Sequence, residues 1–308
     1  MEAGARSTRL RSLTISPAAF EWFAYAALGA LFLIVVSGAT VRLTGSGLGC
    51  ENWPNCGDTF LPPKEYNALI EFGNRVAGFV VGLTTLAAAV AAFRVPGMPR
   101  WLLWSAVALP LTVLAQGVLG GITVLLELHP LIVMGHFLLS LVALGVVVVV
   151  VQGARDLARG AAAEEPLGSA WLALALVPAA AALVVSGTLV TAAGPHSGGE
   201  EIARFGNLVE AVHIHIGATA VFGIAFLGML GLLVAERRRA SVELRLAGIV
   251  LVLLLVQMVV GEIQWREALP WGLVLLHVTL ATAVWVVVVA LAVRIVLRHR
   301  ARLPQYVD

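Results

Sequence analysis

The chain has 308 residues, of which 60% are hydrophobic and 12% charged. Water-soluble domains carry about 25% charged residues, so the composition excludes an ordinary soluble fold and points to an all-α integral membrane protein. A formal net charge of +2 gives no reason to expect a nucleic-acid partner.

Crossing a bilayer takes roughly 20 apolar residues per helix. Eight stretches qualify, at 20–41, 68–93, 101–125, 130–151, 170–192, 207–234, 245–265 and 271–297. The first is too long for a signal-peptide core and lacks a small-residue cleavage site, so it reads as a span. After it comes "TGSGLG" (44–49), which follows no strand and opens no βαβ helix; it is a loop, not a nucleotide fingerprint. The same loop continues into "GCENWPNC", which holds the only two cysteines, Cys50 and Cys56. Two thiols so close together on the outer side of a membrane predict a disulfide, with a redox-active pair as the alternative.

The second span opens with "NALIEFGNRVAGF" (67–79). Glu71 lies three residues before Asn74 on one helical face, and Arg75 follows at i+4 from Glu71. One reading makes Glu71 a partner of Arg75 and of the helix dipole. The other makes it a carboxylate facing the reactive edge of a bound substrate. The fourth span carries His136, the sixth His213 and His215, and the eighth His277. His129 and His196 lie in loops and His299 in the basic tail, where surface roles are expected.

Arginine placement sets the orientation. With the N-terminus inside, 15 of the 20 Lys and Arg fall on the cytoplasmic side, among them Arg6, Arg9, Arg11, Arg155, Arg159, Arg245, Arg300 and Arg302. The positive-inside rule therefore predicts N-in and C-in, and "ERRRASVELR" reads as a topology signal.

The chain repeats. "SGATV" (37–41) resembles "SGTLV" (186–190). Gln116, Gly120 and His136 match Gln257, Gly261 and His277 at an offset of 141, which carries Asn74 onto His215. "FGN" at 72–74 and 205–207 gives a conflicting offset of 133. The predicted architecture is two pseudo-symmetric four-helix bundles, 1–151 and 170–308, joined by a polar cytoplasmic linker at 152–169.

Ionisable side chains inside membrane helices face a bundle interior or a site. No His-Glu-x-x-His pattern and no carboxylate cluster occurs, so Zn and Cu are not expected. Two imidazoles on facing helices of an apolar bundle suit the axial positions of a haem. His215 and His277 are such a pair. His213 is the competitor, about 200° around the same helix from His215. In the first bundle His136 faces Asn74, and an amide is a poor iron ligand. That half is expected to leave an iron position open, as suits a substrate; Glu71 has no counterpart, since the offset carries it onto Val212.

"SGATVRLTGSGLGCENWPNC", "IEFGNR" and "HPLIVMGHFLLS", together with a histidine near the start of the last span, resemble the heme A synthase family over nearly the whole chain. The cysteine pair with "EFGNR" is similar to a Gram-positive or actinobacterial branch. The resemblance implies a bacterial inner-membrane protein of cytochrome oxidase assembly, with its sites towards the outer face. It implies haem b on His215 and His277, and haem O bound in the first bundle through His136. It further implies oxidation of the C8 methyl of haem O to a formyl group, giving haem A, with Glu71 as the catalytic carboxylate and Cys50–Cys56 as a loop disulfide. This sequence departs from the family at Asn74, where many members carry a second histidine. Expected partners are haem O, haem A, membrane lipid, heme O synthase, an oxidase assembly factor and a quinol electron donor. The alternative is a non-catalytic membrane b-type cytochrome or haem carrier exchanging electrons with quinone. A transporter is a weaker third reading, since no span shows paired Gly/Pro breaks at mid-membrane.

Overall fold

A computed structural model describes residues 14–160, 164–168, 170–196, 198, 202 and 204–300. The basic residues expected at 6–11 and Arg302 lie outside the described residues, as do parts of the linker. The described residues form α1 (Pro17–Leu43), α2 (Tyr66–Ala92), α3 (Arg100–Leu125), α4 (Pro130–Arg159), α5 (Ala170–Ala193), α6 (Leu208–Ala235), α7 (Ser241–Arg266) and α8 (Trp271–Arg300). All eight contain segments long and apolar enough to cross a membrane, and no strand occurs among the described residues. The protein is an all-helical, multi-pass membrane protein.

The helices begin and end where local chemistry dictates. Ser16 caps α1 through its side chain, accepting from the Ala19 N–H, and Pro17 starts the helix at a position that needs no N–H. α4 runs two turns past the expected end at 151, to Arg159, and stops at Gly160, whose φ of 56° is the left-handed conformation glycine adopts freely. The first residues of the expected linker are therefore helical.

α1 packs on α2 and α4, α2 on α3, and α3 on α4. α5 packs on α6 and α8, and α7 on α8, whereas α6 touches α7 only slightly. α4 and α8 form the wall between the two sets, pinned by Trp285 Nε1–H to the Leu141 carbonyl at 2.8 Å and by Gln152 Nε2 to the Ala290 carbonyl at 3.4 Å.

One end of the molecule carries the cysteine loop. There the two sets interlock: Arg42 Nη1 donates to the His196 carbonyl at 2.8 Å, and the Gly47 N–H to the Gly198 carbonyl at 3.1 Å. His196 Nε2 donates in turn to the Leu269 carbonyl at 2.7 Å, so this residue is a clasp rather than a free surface histidine.

The other end carries an ion-pair cluster that no sequence pattern announces. Glu243 is fully buried, with Arg298 Nε at 2.9 Å and Arg294 Nε at 3.3 Å. Glu164 pairs with both arginines, Asp156 lies 3.6 Å from Arg294, and Arg298 also donates to the Arg239 carbonyl at 2.7 Å. Removing one partner would strand a buried charge, which costs far more than an exposed pair contributes. "ERRRASVELR" thus supplies structural partners, Arg239 and Glu243, besides any part in topology.

Candidate functional site

Three histidines share one packing arrangement. A Cβ added at Gly120 would lie 3.3 Å from His136 Cε1, one at Gly261 3.2 Å from His277 Cε1, and one at Gly187 3.2 Å from His215 Cε1. Each imidazole thus sits flush on the glycine of a neighbouring helix, which fixes its plane. Glutamines repeat the pattern: Gln116 Nε2 donates to the His136 carbonyl at 3.1 Å and Gln257 Nε2 to the His277 carbonyl at 3.0 Å.

Serines hold the partner positions. Ser186 Oγ bonds His215 Nδ1 at 2.9 Å, and Ser37 Oγ donates to Asn74 Oδ1 at 2.9 Å. These serines open the two fragments "SGTLV" and "SGATV". Their equivalent contacts bear on the conflicting repeat offsets, because Asn74 and His215 receive the same partner. Asn207, the asparagine favoured by the other offset, instead caps α6, accepting from the Val209 and Glu210 N–H groups. Asn74 lies inside α2, so the two "FGN" fragments hold different places in their helices.

His215 and His277 face each other, with ring centroids 6.4 Å apart and planes inclined by 71°. Two imidazoles on opposite sides of one metal, each about 2 Å from it through a ring nitrogen, place their centroids at about this separation. The Ser186 bond to Nδ1 leaves His215 Nε2 as its outward nitrogen, the second-contact pattern of metal-bound histidines. His213 is exposed and does not share this pairing. His277 Nδ1 and His136 Nδ1 are buried without a hydrogen-bond partner. An unpaired buried nitrogen is destabilising by about 1–3 kcal/mol, so a bound group or water that meets either nitrogen would stabilise the site. The residues of the second set fit a bis-imidazole haem. In the first set His136 offers one imidazole, while the oxygen of Asn74, its only atom able to bind iron, is engaged by Ser37. His129 is exposed at the start of α4 and joins neither group.

Glu71 is 5% exposed and lies under the cysteine loop. Its Oε1 meets Arg75 Nη2 at 2.6 Å and its Oε2 accepts from the Cys50 N–H at 2.8 Å. Arg75 spreads over the same loop, donating to the carbonyls of Cys50 at 3.2 Å, Asn52 at 3.2 Å and Asn55 at 2.8 Å. Cys50 and Cys56 are joined in a disulfide. Beyond it, Trp53 lies over α3, so that a Cβ at Gly121 would come 2.5 Å from its ring. The loop is thus tied to α2 through Glu71 and Arg75, and to α3 through Trp53, one residue from the glycine behind His136. Both oxygens of Glu71 carry bonds, yet a carboxylate has about four lone-pair sites, so it can still accept from a group at the reacting edge. Sequence reasoning missed this clamp. The i,i+4 spacing signalled Arg75, but nothing in the sequence points from Glu71 to a backbone N–H 21 positions earlier.

Eight membrane-length helices among the described residues, three of them carrying an imidazole packed on a glycine of a neighbouring helix, define a polytopic helical membrane protein. The chain belongs to the cytochrome oxidase assembly protein family, whose model matches residues 21–289. It is similar to a heme A synthase of Lysinibacillus sphaericus (strain C3-41), 35% identical over 41% of this chain and 42% of that protein. A heme A synthase of Symbiobacterium thermophilum is 38% identical over the same shares. A protoheme IX farnesyltransferase of Halobacterium salinarum is 37% identical over 23% of this chain and 15% of that protein. In these alignments the chain spans less than half the length of each relative.

Proposed function

We propose that the protein is a heme A synthase, oxidising the C8 methyl of haem O to a formyl group to give haem A. The observation that carries this reading is the unequal pair of sites. Two facing imidazoles stand in the second set of helices, and the first has a single imidazole on α4 and a serine-bound amide on α2. Family membership and the two similar heme A synthases support it.

The two sets read as pseudo-symmetric bundles, 1–151 and 170–308, around the linker. The serine, glycine and glutamine contacts recurring in both support that division. The arginine-rich end is cytoplasmic and the disulfide end faces outward across a bacterial inner membrane, on the positive-inside argument. Haem b is held by His215 and His277; when bound it supplies a one-electron redox centre. Haem O binds in the first bundle with His136 as its strong iron ligand. Ser37 donates to the Asn74 oxygen and leaves the amide NH₂ as a donor towards the site. Glu71, held by Arg75 and the Cys50 N–H, presents negative charge to the methyl carbon as positive charge develops there, or orients a water that adds to it. Trp53 and the disulfide loop exclude bulk water from that edge. Haem O is the product of a farnesyl-transfer reaction, so a heme O synthase is the expected supplier. An oxidase assembly factor is the expected recipient of haem A, and a quinol the expected electron partner.

The test is to incubate the purified protein with haem O and a reductant in air, so that dioxygen takes up the electrons released as the methyl becomes a formyl group, and then to separate the extracted haems. Haem A, or first its alcohol precursor, is the expected product. Unchanged haem O beside an intact b-type spectrum would favour the electron-transferring cytochrome instead.

A further inference from the structure

The second set of helices has a cavity of about 370 Å³ at its disulfide end, lined by Gly194, Arg204, Leu208, Trp265 and Leu269 among others. Its position relative to the histidine pair follows from the helices. Trp265 is four residues beyond Gly261, the glycine behind His277, so it lies about 6 Å further out along α7. Leu208 is seven residues before His215, about 10 Å further out along α6. The cavity therefore lies closer to the disulfide end than the imidazole pair, on the helices that carry His215 and the glycine behind His277.

Arg204 is the charged side chain among its described lining residues. Arg266, near the same end of α7, is committed to Glu262 at 2.5 Å. Arg204 donates through Nη1 to the Gly194 carbonyl at the cavity wall, and a guanidinium has five N–H donors. The described lining residues include no carboxylate. The first set differs at the corresponding place. There Trp53 fills the space over α3, and Arg75 is spent on loop carbonyls and Glu71.

We infer that Arg204 and this cavity receive the propionate carboxylates of the haem held by His215 and His277. This rests on the haem reading of that pair. A porphyrin carries both carboxylates on one edge. In an apolar bundle that edge must leave the hydrocarbon region and meet a cation or water, because an unpaired buried charge is strongly unfavourable. The cavity is the outward exit from the pair, Arg204 supplies a planar fork matched to a carboxylate, and Trp265 and Leu208 wall the apolar part of the ring.

The full-length holoprotein in detergent provides the test, by haem loss to an excess of a haem-scavenging apoprotein and by redox titration of the b-type spectrum. Arg204→Gln should keep the six-coordinate low-spin spectrum, lose haem about 10- to 100-fold faster, and shift the midpoint potential downward, since removing a cation favours the ferric state. Arg204→Lys keeps the charge without the fork and should fall between wild type and Arg204→Gln in both measurements. Unchanged haem loss and potential in Arg204→Gln would overturn the assignment. If Arg204→Gln does not accumulate, wild-type behaviour of Arg204→Lys in both measurements would overturn it equally. A low-spin spectrum that survives His277→Ala would refute the ligand reading itself, and this inference with it; a spectrum lost in His277→Ala but indifferent to Arg204 would refute the propionate site alone.

Discussion

At the disulfide end, the two sets of helices finish in different ways. Over the first, a loop is bonded down onto Glu71 and Arg75, Trp53 covers Gly121, and α2 packs along α3. Over the second, a cavity opens beside Arg204 and Trp265, and α6 barely meets α7. Beneath these ends the glycine-backed imidazoles are nearly the same. Under the proposed function, the same scaffold carries a tied-down loop over the substrate site and an open end over the redox site. The imidazoles divide in the same way. The covered set has His136 on α4 and the Ser37-bound amide of Asn74 on α2, and the accessible set has two facing imidazoles.

The strongest way to break the comparison is to remove one of the facing pair. His277→Ala should abolish the low-spin b-type spectrum of the purified protein, and His213→Ala should leave it intact; the reverse pattern would mean that the ring pairing seen here is not the ligand pair. Next in size is the carboxylate under the loop. Glu71→Gln keeps the shape and removes the charge, and should lower haem A formation by about 10²–10³, or 3–4 kcal/mol of transition-state stabilisation. The b-type spectrum should persist while haem O or its alcohol accumulates. Normal haem A output from that variant would reduce Glu71 to a brace for the loop.

Asn74→His would make the two sets alike. Its expected outcome is a second low-spin species in haem O-loaded protein, seen as added intensity in the low-spin electron paramagnetic resonance region. An unaltered spectrum would place Asn74 out of reach of iron. Replacing both Cys50 and Cys56 by Ser opens a short covalent loop, which is worth about 2–3 kcal/mol. The covered set should lose thermal stability and the loop should become sensitive to protease, with the b-type spectrum unchanged. The smallest effect is expected from Gly261→Ala. The new Cβ would stand 3.2 Å from His277 Cε1, so the ring must tilt by a few tenths of an ångström. A shifted low-spin signal with full haem content is the expected reading, against complete loss in His277→Ala.

The spans were legible because a bilayer demands long apolar runs and tolerates little else. The histidine register was legible because the Gln, Gly and His positions recur at one offset, and the serine contacts of Asn74 and His215 agree with it. What escaped the sequence was pairing across distance. Glu71 reaches a backbone N–H in the preceding loop, a group that every residue but proline carries and that leaves no trace in composition. The ion-pair cluster joins buried Glu243 to Arg294 and Arg298, more than 50 positions on, and these to Glu164, each of which alone looks like an ordinary cytoplasmic flank. The extension of α4 to Arg159 was hidden because Gln152, Asp156 and Arg159 are polar, and hydropathy cannot separate a helix leaving the membrane from a loop.

The wall between the two sets has a consequence for engineering. His136 belongs to α4 and His277 to α8, and these are the helices pinned together by Trp285 to Leu141 and Gln152 to Ala290. If both positions hold haem iron, as proposed, the interval between them is set by this protein seam. Bilayer thickness, detergent choice or nanodisc composition should leave the rate of electron exchange between them unchanged, and a chain divided in the linker should reassemble along that seam with the same spacing.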